Sequence, residues 1–313
     1  LAKLAHGIAD NLLSALALAA RSPILVAPAM DVRMWDHEAT ERNVETLRSR
    51  GVHVAGPARG RMASGLEGQG RLVEPDEILG HVRQVLGRGG ALAGRRVVVS
   101  AGPTREPLDP VRFLSNPSSG RQGFALAQAS VDRGAEVTLV AGPTELTTPV
   151  GVERIDVTTA DEMAEAVLAW SAQADLLLMA AAVADYRPTE VETEKIKKGS
   201  TGMVIDLERT EDILVAVAGR RARSQRPRVV VGFAAETEDL VANARLKLDA
   251  KELDLIVAND VTASQAGFGV DTNHVTLLER GGNAEELPLL SKSAVADAVL
   301  DRAVGLLGAE END

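Results

Sequence analysis

The chain has 313 residues, 34 basic against 45 acidic side chains, 45% hydrophobic residues, 2% aromatic residues and no cysteine. That length predicts two or three domains with ample core, and the net charge of -11 excludes a general nucleic-acid binder, which needs a basic face for phosphate. Lack of cysteine excludes disulfides, thiolate zinc sites, iron–sulfur clusters and cysteine nucleophiles; it fits a reducing compartment, and a cytoplasmic location is expected.

The opening LAKLAHGIADNLLSALALAA has a lysine, an apolar stretch and an A-L-A triplet, as a signal peptide would. His6 and Asp10 interrupt it, and Leu4, Ile8, Leu12, Leu13 and Leu16 recur at helical spacing, so a helix is expected instead. No run reaches the ~18 uncharged apolar residues of a membrane span, so no membrane association is expected. The first residue is Leu rather than Met, and a fragment of a longer chain is expected.

PILVAPAM (23–30) reads as a strand, WDHEATERNVETLRSRG (35–51) as an amphipathic helix and VHVAGP (52–57) as a second strand. ARGRMASGLEGQGRLVEP (58–75) fits neither period and reads as a loop, before the helix EPDEILGHVRQVL (74–86) with acids in its first turn. The Gly-rich residues 87–95 read as a linker between a domain over 1–86 and one over 96–313.

From residue 96 strands and helices alternate. RVVVSAG (96–102), AEVTLVAG (135–142), ADLLLMAAAV (174–183), RVVVGFAAET (228–237) and LDLIVANDV (253–261) are strands of the buried kind. Helices are expected at 123–134, 159–173, 211–223, 239–253 and 293–307, and HVTLLER (274–280) reads as a last strand. The segment 186–209 interrupts the alternation. Five β-then-α units imply a doubly wound, Rossmann-like parallel sheet with ligands at the strands' carboxyl ends. The tail 310–313 reads as disordered.

Three stretches carry candidate chemistry. In S-N-P-S-S-G-R-Q-G (115–123), Ser118, Ser119 and Gly120 offer hydroxyls and backbone N–H groups to an anion at a helix start, or else simply make a turn. Asn116 precedes a proline, so its backbone is extended, which either aims its amide across the strand ends or makes it a turn residue. In A-A-A-V-A-D-Y-R-P (180–188), small residues admit a ligand close to the backbone; Asp185 either holds Mg²⁺ against phosphates or makes a turn. E-K-I-K-K-G (194–199) is either a solvated surface or a lid presenting lysine to a triphosphate. Only seven residues are lysine, and five of them lie between 195 and 251, including Lys247 and Lys251 on one helix face. The histidines His6, His37, His53, His81 and His274 show no metal-ligand spacing.

AGPTREPLDPVRFLSNPSSGRQG, MAAAVADYRP, EKIKKG, GFAAET, LDLIVAND and GFGVDTN, in that order, resemble the phosphopantothenate–cysteine ligase domain of bifunctional coenzyme A biosynthesis proteins. LAKLAHGIADNLLS, APAMDVRMW and ASGLEGQGRLVEP resemble the second half of the companion domain, a flavodoxin-like, FMN-dependent phosphopantothenoylcysteine decarboxylase. The resemblance implies a truncated decarboxylase part, without its flavin-binding opening or catalytic histidine and without bound FMN, followed by a complete ligase domain. Asp31 stands where the common decarboxylase pattern has Asn, and Ser64 where it has the cysteine that donates a proton. A hydroxyl is a far weaker acid than a thiol, so decarboxylation by the usual route is not expected.

For the ligase the resemblance implies CTP-dependent joining of 4′-phosphopantothenate and L-cysteine through an acyl-cytidylate, with Mg²⁺, in a homodimer. It assigns Asn116 to the acyl-cytidylate and Lys195 to phosphate charge during transfer. Asp185, Phe233, Lys247 and Lys251 fall in the nucleotide site, with the backbone of Met179, Ala180 and Ala181 and of Glu211, Asp212, Ile213 and Leu214. Two other classes compete. A nicotinamide-dependent oxidoreductase would need G-x-G-x-x-G after the first strand and an acid after the second, and both strands here end in A-G-P-T. A non-catalytic flavin-binding or regulatory protein would need the flavin-binding opening.

Overall fold

The structure, a computed structural model, describes residues 1–198, 203–236, 239–260, 270–282 and 284–309. The chain divides into two compact units, Leu1–Arg88 and Gly89–Asp313.

In the first unit the apolar run 23–30 forms strand only over Leu25–Val26, paired in parallel with His53–Val54. Pro23 and Pro28 bracket that strand, and proline has no N–H to extend a ladder. The expected helix 35–51 is two helices, Val32–Trp35 and Glu38–Ser49. Asp31 caps the first by accepting the Arg33 N–H (3.0 Å), and His37 caps the second through Nδ1 and the Ala39 N–H (3.1 Å).

The expected loop 58–75 contains an antiparallel hairpin, Ala58–Arg61 with Glu67–Arg71. Its strands alternate glycine with Arg, Gln or Glu, so backbone pairing, not an apolar face, holds it together. It docks on residues 30–32: the Met30 N–H donates to Gly70 O (2.9 Å), and the Val32 N–H to Met62 Sδ (3.1 Å). The opening leucines are not one amphipathic stripe. Asn11 and Ser14 form a capping box that starts a new helix, Leu12–Ala19, and leave Leu12 and Leu13 76% and 77% exposed.

The second unit is built on eight strands: β1 Arg96–Ala101, β2 Glu136–Ala141, β3 Val152–Asp156, β4 Leu176–Met179, β5 Val229–Glu236, β6 Leu255–Asp260, β7 Val275–Glu279 and β8 Ala284–Glu286. Their spatial order is β8-β7-β6-β5-β4-β1-β2-β3. The first six are parallel, in the doubly wound order 3-2-1-4-5-6. β7 and β8 add antiparallel at the edge, so the sheet is mixed rather than wholly parallel.

Alternation along each strand sends side chains to two cores. Helices α1 (Arg121–Val131) and α5 (Lys292–Ala309) cover Val97, Val99, Leu178, Val231 and Val257. Helices α2 (Ala160–Ser171), α3 (Ile213–Ser224) and α4 (Leu240–Ala250) cover Val98, Leu177, Val230 and Ile256. Each such side chain contributes about 1.5–3 kcal/mol when fully buried, which is why these β-branched runs lie at the centre of the sheet. The chain reverses its direction of winding between β1 and β4, which opens a crevice at their carboxyl ends. The polar segment after residue 185 contributes an antiparallel pair, Tyr186–Pro188 with Leu207–Arg209. Among the described residues no helix is long and apolar enough to cross a membrane.

Candidate functional site

A cavity of about 740 Å³ lies at this crevice. Its floor is Met179, Ala180 and Ala181, where β4 runs out into small residues. Two buried hydroxyls hold that extension: Ser100 Oγ accepts the Ala181 N–H (3.1 Å) and Thr104 Oγ1 the Ala184 N–H (2.9 Å).

One wall is the turn before α1. Asn116 Nδ2 donates to the carbonyls of Ala182 and Val183, both at 3.3 Å, so the amide is oriented by two groups that can only accept. Gly120 caps α1 with φ 76°, a left-handed conformation that favours glycine. Ser118, Ser119 and Gly120 line the cavity at the helix's positive end. Gly123, one turn in, lets α1 rest on β1: a Cβ there would lie 2.4 Å from Ala101 Cβ.

The opposite wall comes from the other face of the sheet. Asp212 caps α3 by accepting the N–H groups of Leu214 (3.1 Å) and Val215 (3.3 Å), and its second oxygen meets Lys251 Nζ at 2.9 Å. Lys247 lines the same wall, and Glu211, Ile213, Leu214 and Phe233 complete it. Asp185 projects its exposed carboxylate at the rim while its carbonyl accepts the Thr210 N–H (3.1 Å). Among the described residues no three His, Asp or Glu side chains converge on a metal position.

Of the residues singled out in the second unit, only Lys195 is not in the cavity lining; it is exposed. Its neighbour Ile196 is clamped instead. Buried Asp109 Oδ2 accepts the Ile196 N–H (3.2 Å), and Arg112 Nη1 donates to the Ile196 carbonyl (3.2 Å) and to Asp109 (3.1 Å). Burial pushes the Asp109 carboxyl up, but the N–H groups of Val111, Arg112 and Ile196 and the Arg112 charge outweigh it and hold it below the usual value. The lysine-bearing segment, read as either a solvated surface or a lid, is thus tied at Ile196 to the turn that precedes Asn116. Gly199 and residues 237, 261 and 267–269 of the motifs, and the tail 310–313, lie outside the described residues.

Among the lining residues that sequence reasoning passed over are Arg121, Gln122, Asn259, Asn273 and Lys292. Asn259 and Asn273 stand inside the family motifs without a role, and Lys292 stands apart from the other lysines. In the first unit, Asp31 and Ser64 are brought together, and the Ser64 hydroxyl, with the Arg33 N–H, holds the Asp31 carboxyl below its ordinary value. His53 and His81 also meet, ring nitrogens 2.9 Å apart, with Arg88 3.2 Å from His53.

The strand order and the crevice at the switch point, walled by the glycine–serine turn at α1, define a doubly wound α/β domain. Residues 92–306 match the family described as DNA/pantothenate metabolism flavoprotein C-terminal domain, and residues 1–87 match the Flavoprotein family. The coenzyme A biosynthesis bifunctional protein CoaBC of Bacillus subtilis (strain 168) is 46% identical over 307 residues, 97% of this chain and 75% of that protein. The chain belongs to this bifunctional family. A cysteine/cysteine sulfinic acid decarboxylase from an unknown prokaryotic organism is 45% identical over 310 residues, 97% of this chain and 86% of that protein. The crystal structure of the C-terminal domain of a CoaBC protein is 42% identical, with a TM-score of 0.60, over 72% of this chain and 100% of that one. The expectation of a truncated decarboxylase part gives way to a broader statement: residues 1–87 carry Flavoprotein-family sequence alongside the second domain.

Proposed function

We infer that the second unit joins 4′-phosphopantothenate to L-cysteine through an acyl-nucleotide, with CTP as the nucleotide. The carrying observation is the cavity itself, where the start of α1 with Asn116 faces Lys247 and Lys251 across a floor of small residues. Family membership supports the same reaction. A carboxylate does not react with an amine until one oxygen becomes a leaving group, so attack on the α-phosphorus comes first and releases pyrophosphate. The amine then displaces the nucleoside monophosphate.

The chain's part is alignment and charge stabilisation. The Ser118 and Ser119 hydroxyls take phosphate oxygens at the positive end of α1, where the Gly120 N–H donates to Ser118 Oγ at 3.3 Å. Lys247 and Lys251 offset the triphosphate charge, Lys251 while paired with Asp212. Phe233 stacks against the base, and Asn116 orients the acyl carbonyl. Lys195 approaches the transferring phosphate from the docked segment. A rim carboxylate such as Asp185 suits Mg²⁺, which keeps several waters and binds through one or two carboxylates plus phosphates. Asp185 would hold it, and the metal would neutralise phosphate charge. The second copy of a homodimer would close the site.

The Flavoprotein match brings FMN as the cofactor of residues 1–87. Asp31, which accepts the Arg33 N–H at 3.0 Å, and Ser64, which helps hold the Asp31 carboxyl below its ordinary value, stand where the common decarboxylase pattern has Asn and Cys. A serine hydroxyl is a far weaker acid than a thiol, so Ser64 does not supply the usual proton donor of the decarboxylation.

The test mixes the protein with 4′-phosphopantothenate, cysteine, Mg²⁺ and either CTP or ATP and follows pyrophosphate. Release with CTP in excess over ATP is expected; no release with either would sink the ligase reading.

A further inference from the structure

Asn273 is 4% exposed, lines the cavity, and its Oδ1 has no hydrogen-bond partner among the described residues. Buried amide oxygens are nearly always satisfied, so an orphan facing a ligand cavity marks a missing donor. Its orientation follows from its neighbours. The Lys292 backbone carbonyl can only accept, and Gln122 Nε2 donates to it at 3.1 Å. Gln122 Oε1 is thereby turned to Asn273 and accepts from Nδ2 at 3.0 Å. The atom of the Asn273 amide left without a partner among the described residues is its oxygen, an acceptor.

A second orphan points the same way. Asn259 Oδ1 is also buried without a partner among the described residues, and Asn259 lines the same cavity. Asn259 stands opposite Val275 in the antiparallel register. Period-two alternation puts its side chain on the sheet face of Val257 and Val275, the face covered by α1 and α5. Lys247 and Lys251 come from α4 on the other face. The acceptors therefore lie across the floor from Lys247 and Lys251; the cations on their own side, Arg121 and Lys292, are engaged by the Asp271 carboxylate and the Val270 carbonyl. Phosphate and carboxylate groups carry only lone pairs and are repelled by such acceptors. An amino group supplies what they lack.

We propose that Asn273, held by Gln122 and joined by Asn259, is the subsite for the amino group of the incoming amino acid, a proposal that rests on the ligase reading. Two amide oxygens take two N–H groups and leave the nitrogen lone pair to the acyl carbon, once the third proton of the ammonium has gone to water. The N–C bond forms and the C–O bond to phosphorus breaks. The nucleoside monophosphate leaves with that electron pair, and the remaining extra proton passes to solvent.

The experiment measures two half-reactions of the full chain. Acyl-nucleotide formation is read as single-turnover pyrophosphate release without cysteine, and amide formation as product with varied cysteine. Asn273→Leu is expected to leave pyrophosphate release and the nucleotide KM unchanged and to raise the cysteine KM about 10- to 100-fold, the factor that a lost charged-group hydrogen bond carries. Inhibition by 3-mercaptopropionate, which lacks the amine, should not change. Asn273→Asp keeps the acceptor and should hold or lower the cysteine KM; this variant decides the matter if the leucine variant does not fold. A raised nucleotide KM with unchanged cysteine KM would assign the acceptor to the base and overturn the proposal. So would parental kinetics in the leucine variant, or a tenfold rise in cysteine KM for the aspartate variant. Absence of pyrophosphate release by the parent would instead overturn the ligase reading.

Discussion

Gly123→Ala tests whether the cavity is set by how closely α1 rests on β1. The added Cβ would lie 2.4 Å from Ala101 Cβ and 2.9 Å from Ser100 O. Carbon atoms in contact prefer about 3.5–4.0 Å, so the helix start must retreat by about 1.4 Å. Overpacking of this kind costs about 1–3 kcal/mol, offset by at most ~1 kcal/mol of helix propensity. The same retreat moves Gly120, Arg121 and Gln122, all of them cavity residues. A misplacement of about 1 Å near reacting groups can cost about 10²-fold in rate. Urea unfolding at constant slope should show a lower midpoint, and pyrophosphate release should fall by up to that factor. Gly219→Ala is the control. It sits inside α3 with open space around its missing Cβ, and alanine there should stabilise by about 0.5–1 kcal/mol. If Gly123→Ala matches the parent in both midpoint and rate, the close packing does not position the helix.

Other outcomes can be checked with the same assays. Asn116→Ala should retain nucleotide binding and lose amide formation, and unchanged turnover would contradict its role. Asp109→Asn removes one acceptor from the Ile196 clamp; amide exchange at Ile196 should accelerate, and kcat should drop by about 10- to 100-fold if Lys195 must be aimed. Asp175 accepts the Arg96 N–H at 2.9 Å and meets Arg226 Nη1 at 2.5 Å. Burial pushes its carboxyl up, but these donors and the nearby Arg95 charge win and hold it low. A depressed carboxyl stabilises the fold above its unfolded value of about 3.9, and that stability fades as pH falls towards the folded one. Asp175→Asn should cost about 1–3 kcal/mol at neutral pH and flatten the acid limb of the stability profile; an unaltered limb would count against this assignment.

What could be read along the chain was what is local. The central strands were legible because runs such as Val97–Val99 and Leu176–Leu178 pack on both faces and so must be apolar throughout. The helix starts were legible where a side chain caps its own helix, as Thr159 does with Glu162. The glycine–serine turn and the alanine-rich strand end, each legible as a stretch with accessible backbone, line one cavity. Hairpin 58–71 escaped because its pairing is carried by backbone hydrogen bonds, which have no side-chain period. The single helix expected over 35–51 escaped division because His37 caps through a ring nitrogen, outside the usual set of capping residues.

The meeting of Asp31 with Ser64 and the docking of Ile196 on Asp109 and Arg112 depend on chain segments that approach only after folding. The same holds for Gln122, Asn273 and Lys292, which strand order and sheet register bring into one relay from the two ends of the domain. The absence of cysteine from the sequence thus settles what this chain's own side chains cannot do. Where an amine could be received was decided by tertiary structure, because an acceptor becomes an orphan only when every neighbour has taken its own partner.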